Sequence, residues 1–85
     1  MEVKVLGMGC ARCRDLEQRA RKALAEMGLA TEVEKVDDIQ IIMTYRVMAT
    51  PALVINGTVK SAGRIPSVEE IKRWLGENGR SERLL

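Results

Sequence analysis

Histidine and phenylalanine are absent from this 85-residue chain, and Trp74 and Tyr45 are its only aromatic residues. A core built without phenylalanine has to come mostly from Val, Ile, Leu, Met and Ala, and such a core loses stability easily when it is truncated. With two cysteines and no histidine, the chain cannot close a four-ligand structural zinc site unless a dimer shares it. Charge of one sign is also scarce: 14 basic and 12 acidic residues leave a net +2, which points neither to nucleic acid nor to a membrane surface. No stretch approaches the ~20 apolar residues that span a bilayer. The opening Met-Glu-Val-Lys-Val-Leu lacks a basic stretch followed by a long apolar run, so no signal peptide is expected. A cytoplasmic location follows by default, and there a lone cysteine pair is catalytic or metal-binding more often than a structural staple. Internal repeats and low-complexity segments are absent too.

What is present fits one domain, with roughly 60–65% of the unfolded chain's surface available for burial. Glu2 to Leu6 reads as a strand, with Val3 and Val5 on one face and Lys4 on the other. Gly7 and Gly9 read as a flexible loop leading to Cys10. From Ala11 to Met27, the residues Cys13, Leu16, Ala20, Ala23, Leu24 and Met27 recur at helical steps, and Gly28 stops the helix. Arg12, Arg14, Arg19, Arg21 and Lys22 alternate with Asp15, Glu17 and Glu26, as on a solvated helix face.

Thr31 to Val36 reads as a second strand, parallel to the first through a right-handed crossover. Asp37 or Asp38 can cap a short helix over 39–46. Ala52 to Asn56 is a buried strand, Asn56-Gly57 the strongest short hairpin signal, and Thr58 to Ser61 the returning strand. Ser67-Val68-Glu69-Glu70 is a capping box opening a last helix with an apolar stripe of Val68, Ile71, Trp74 and Leu75, ended by Gly76. The domain therefore covers 1–76, and 77–85 is a polar tail or helix extension. The order βαβαββα gives an α/β fold, a four-stranded mixed sheet with helices on both faces.

Cys10-Ala11-Arg12-Cys13 is the only reactive constellation. Two thiols two residues apart at a helix start can close and open a disulfide with little backbone movement. The unpaired N–H groups and positive dipole end of the helix favour the thiolate, the attacking form. The bland alternatives are two buried apolar cysteines or a staple, but a disulfide closing so short a loop stabilises little. Arg12, inside the motif, is a candidate for holding Cys10 as thiolate by charge; the competing reading is a solvent-facing position, which also suits Arg14. Lys4 is read as snorkelling from the sheet's edge into water rather than as a base near the thiols. Tyr45 is read as a core aromatic with a wet hydroxyl, and Met27, Met43 and Met48 as gap-filling core. Met8, on the motif loop, offers an apolar rim for a partner.

Cys10-Ala11-Arg12-Cys13 after the first strand, Val36-Asp37-Asp38, Tyr45-Arg46-Val47 leading into Ala49-Thr50-Pro51-Ala52-Leu53-Val54-Ile55-Asn56-Gly57, and Gly63 before the last helix together resemble the thioredoxin superfamily. The likeness is to its short thioredoxin-like or glutaredoxin-like members, over Glu2 to about Gly76. It implies a thiol–disulfide oxidoreductase or electron carrier with Cys10 as nucleophile and Cys13 resolving. Pro51 would then be a cis proline against the disulfide, and Thr50 would offer its backbone to an extended substrate. No cofactor beyond the Cys10–Cys13 disulfide is implied. Partners would be a disulfide-containing protein and a thiol or flavoprotein reductant, with no nucleic acid and no membrane. Met8-Gly9-Cys10-Ala11-Arg12-Cys13 also resembles the Met-x-Cys-x-x-Cys loop of copper chaperone domains, whose thiolates suit Cu(I). Those domains run βαββαβ and finish on a strand, whereas this chain is expected to finish on a capped helix.

Overall fold

A computed structural model describes residues 1–9 and 11–83, by backbone alone beyond residue 76. The described residues form β1 (Val3–Leu6), α1 (Ala11–Glu26), β2 (Val33–Val36), α2 (Ile39–Thr44), β3 (Ala52–Ile55), β4 (Thr58–Ala62) and α3 (Val68–Arg83). The strands pair in the order β2-β1-β3-β4, with β1 parallel to β2 and antiparallel to β3. This is the expected α/β architecture.

Alternation along the central strands divides the core between two faces of the sheet. Val3, Val5, Leu53 and Ile55 pack with Leu16, Ala20, Ala23 and Leu24 of α1 and Ile71 and Leu75 of α3. On the opposite face Leu6, Val36, Ala52 and Val54 meet Ile42 of α2. β3 is buried at every position because it lies inside the sheet with helices over both faces.

The local signals act through identifiable hydrogen bonds. Gly28, at φ 69°, ends α1 in a Schellman arrangement, its N–H donating to Ala25 O and that of Leu29 to Leu24 O. Asp38 caps α2 by accepting from the Gln40 N–H at 2.9 Å. Asn56 and Gly57, at φ 51° and 81°, make the primed turn whose twist suits a hairpin. At the start of α3, Ser67 Oγ accepts from the Glu70 N–H and Glu70 Oε1 from the Ser67 N–H, a reciprocal capping box.

Several expectations about element ends and side-chain placement need correction. Gly76 does not end α3, which continues to Arg83; a helical glycine is disfavoured by only about 1 kcal/mol relative to alanine and stops nothing unless the backbone turns left-handed. Helix α2 ends at Thr44, two residues before the expected Arg46, which takes φ 59°. Met43 and Met48 are 67% and 98% exposed rather than core. Ile39, Ile41, Ile42 and Met43 cannot all face the sheet from one helix, and only Ile42 does so fully. Finally, Lys4 is not at an edge, since β1 lies between β2 and β3. Its side chain, 19% exposed, reaches along the α2 face to the Tyr45 hydroxyl at 3.4 Å.

Candidate active site

Helix α1 begins at Ala11, the residue after Cys10, and its first turn carries no acidic residue. Cys10 itself lies outside the described residues. The helix start therefore presents a positive dipole end flanked by Arg12 and Arg14, with no carboxylate in that turn to oppose a thiolate. Cys13, one turn in, faces the sheet and is 5% exposed.

Three segments converge on Cys13. Gly7 follows β1 directly, is buried, and donates its N–H to Val36 O at 2.9 Å. A Cβ on Gly7 would collide with Cys13 Sγ and stand 3.9 Å from Pro51 Cα. Gly7 is thus a close-approach glycine, not a flexible linker, and its missing side chain lets α1 and the start of β3 meet. The Thr50–Pro51 peptide bond is cis. Pro51 is fully buried beside this junction, while Thr50 is exposed next to it. The structure therefore brings Cys13, Pro51 and Thr50 to one place.

Gly63 joins them from the other end of the hairpin. Its N–H donates to Pro51 O at 3.0 Å and its carbonyl accepts from Arg12 Nη2 at 3.1 Å. At φ +78°, with a would-be Cβ only 2.9 Å from Ala49 Cβ, this position has room for glycine alone. Arg12 thus reaches across the site to the β4–α3 connector.

On the inner side, a pocket of about 290 Å³ is lined by Val5, Gly7, Gly9, Cys13, Arg14, Lys35 and Asp37. Lys35 Nζ lies 3.8 Å from Glu17 Oε1, and Glu17 also accepts from Arg21 Nη2 at 2.5 Å. Glu17 is buried, contrary to its assignment to a solvated face. It falls on the buried side of α1 one turn after Cys13, and the two cations compensate its carboxylate there. Nothing in the charge alternation of α1 distinguishes Glu17 from Asp15; the only sequence signal was its four-residue spacing from Cys13. Lys4, by contrast, stands on the α2 face, and its hydrogen bond to Tyr45 holds the ammonium above its usual pKa.

A cysteine-bearing helix start after a first central strand, a cis proline opening an antiparallel hairpin strand, and a βαβαββα order define a thioredoxin-like protein. Residues 1–76 match the family described as a thioredoxin domain. A thioredoxin of Methanothermobacter thermautotrophicus is 40% identical over 75 residues, covering 88% of this chain and 97% of that protein. A thioredoxin of Methanocaldococcus jannaschii is 36% identical over 73 residues, covering 86% and 84% respectively. The chain belongs to the thioredoxin family, a family of thiol–disulfide oxidoreductases. The copper-chaperone alternative gains no support from these relatives, and among the described residues the element order ends in helix α3 rather than a strand. No described helix is long and apolar enough to cross a membrane.

Proposed function

We propose that the chain carries electrons to disulfide-containing proteins through Cys10 and Cys13. The observation that supports this most is the bare Gly7 junction, where Cys13 Sγ and Pro51 Cα both lie within 4 Å of the Cβ that Gly7 lacks, beside exposed Thr50. The Cys10 thiolate attacks one sulfur of a partner disulfide. A Cys10–partner S–S bond forms, and the other partner sulfur leaves as a thiolate and takes up a proton. Cys13 then loses its proton and attacks the Cys10 sulfur. The mixed disulfide breaks, the second partner sulfur leaves, and a Cys10–Cys13 disulfide remains. Two electrons have passed to the partner. Its two sulfurs take up two protons, one matching that lost by Cys13 and one from solvent, because Cys10 entered as a thiolate. An external thiol or flavoprotein reductant restores the dithiol.

An extended partner segment lies along Thr50-Pro51, with Met8 and Met48, 64% and 98% exposed, as an apolar rim. Met48, first assigned to the core, thus gains a use. Arg12 and the α1 dipole favour the Cys10 thiolate by charge. Lys35, backed by Glu17, and Asp37 share a pocket with Cys13 that is large enough for several waters at about 30 Å³ each. Asp37 is the group placed to receive the proton that Cys13 gives up, while Lys35, already a cation beside Glu17, can favour the Cys13 thiolate only by its charge.

Variants of the two cysteines separate these roles. Cys13→Ser should accumulate a covalent partner adduct that dithiothreitol releases, and Cys10→Ser should form none. A Cys13→Ser protein that captures no disulfide substrate, or a Cys10→Ser protein that still reduces one, would overturn the proposed order of attack.

A further inference from the structure

Arg12 sits in the first turn of α1, inside the cysteine motif, and is exposed. One of its five donors is committed, to Gly63 O at 3.1 Å. The acceptor is itself fixed. Gly63 donates to Pro51 O and is confined by its positive φ and by Ala49, so its carbonyl cannot turn away cheaply. Two helical turns further along α1, Arg19 Nη1 donates to Ile65 O at 3.4 Å and Pro66 O at 3.1 Å, pinning the rest of the same connector. Arg12 is therefore a guanidinium held on a rigid anchor, with other donors available to solvent, directly beside Thr50-Pro51.

The neighbouring charges favour an anion. Arg14 is exposed, lines a shallow depression of about 500 Å³ with Ala11, Arg12, Asp15 and Gln18, and makes no ion pair among the described residues. Asp15, the acid in that depression, is 3.8 Å from Arg19, and Arg64 is occupied by Glu70 at 2.9 Å. A planar guanidinium whose position is already fixed loses little freedom on taking up a carboxylate and matches its two oxygens.

We infer that Arg12 is a specificity-determining residue, reading an aspartate or glutamate next to the attacked cysteine of the partner. This rests on the oxidoreductase reading above and adds a substrate class to it: disulfides flanked by acidic residues, in preference to neutral or basic ones. The reaction is unchanged; only the rate of productive docking depends on the flanking charge.

The test uses three disulfide-linked peptides identical except for Glu, Gln or Lys beside the target cysteine, reduced by the full chain in its dithiol form. Wild type should reduce the Glu peptide about fivefold faster than the Gln peptide, the upper range for one exposed ion pair, and the gap should narrow at high salt. Arg12→Gln should bring the two within about twofold, and Arg12→Lys should keep part of the preference because charge remains without the fork. Arg12→Glu should move the preference to the Lys peptide, an inversion that a merely destabilised protein would not show. Exchange with no charge preference in wild type overturns the inference. So does an Arg12→Gln protein that slows all three peptides equally, because Arg12 would then act on Cys10 alone. Reduction of none of them by wild type would instead sink the oxidoreductase reading itself.

Discussion

The two faces of the sheet are built to different standards. Under α1 and α3 the buried cluster draws on both helices and the central strands, and it includes Leu16, Leu53, Ile55, Ile71 and Leu75, each at most 1% exposed. Under α2 the helix contributes Ile42 alone to the buried set and leaves Ile39, Ile41 and Met43 at 55%, 46% and 67% exposure. The first face has the depth to hold Cys13 still. The second, with its short helix and the 45–51 connection, has apolar surface to offer a partner. A disulfide carrier needs both: a resolving thiol whose position does not drift, and a neighbouring surface that accepts different protein segments.

The largest expected effect tests that contrast directly. Leu16→Ala should lower unfolding free energy by about 2–5 kcal/mol, because it leaves a void between α1 and the sheet. Met43→Ser on the other face should stay within about 0.5 kcal/mol. Urea denaturation of both variants measures the difference. Equal losses would mean that the α2 face is as firmly packed as the α1 face.

A smaller effect is expected where the faces meet the site. Gly7→Ala puts a methyl group onto Cys13 Sγ, and overpacking of this kind costs about 1–3 kcal/mol. Its kinetic signature is more specific than its stability loss. The second step, release of the partner by Cys13, should slow more than the first, because the added methyl displaces Cys13 relative to Pro51. Single-turnover kinetics that resolve capture from release provide the check, and an equal slowing of both steps would count against a positioning role for Gly7.

How much of this was legible beforehand depends on whether a feature is local. The α1 stripe, the Gly28 stop, the Asn56-Gly57 turn and the Ser67–Glu70 box are each decided within a few residues, and the structure shows each one. Fold order followed from them. The exposure of Met43 was not legible, because the apolar run 41–43 has no period that says which side faces the sheet, and that of Met48 was not, because it lies in the irregular 45–51 connection, where no periodicity applies. Burial of Glu17 depends on Lys35, eighteen residues away on β2, and the close approach at Gly7 on Cys13 and Pro51 from two other elements. Within the site, Thr50-Pro51 and the helix-start position of the motif could be read from chain order. The reach of Arg12 to Gly63 could not, because its partner arrives through the hairpin.

The smallest effect concerns the surface of the well-packed face. Arg64 donates to both carboxylate oxygens of Glu70, at 3.3 and 2.9 Å, and its guanidinium lies 5.9 Å from the Trp74 ring centroid. The Arg64 hydrogen bond, followed by the Ser67 N–H, holds the Glu70 carboxyl below its ordinary value of 4.5. The sign follows from linkage. A carboxyl depressed in the folded state stabilises the fold above its unfolded value, and that contribution is lost as pH falls through the folded value. Both partners are solvent-exposed, so the gain is modest and screened by salt. Arg64→Gln should therefore lower the urea midpoint slightly at pH 7, and the gap to wild type should close as pH falls below 4.5 and the Glu70 carboxylate takes up its proton. A gap that persists at acid pH would assign Arg64 to packing on Trp74 rather than to the carboxylate, and would place the connector that carries Gly63 under apolar rather than ionic control.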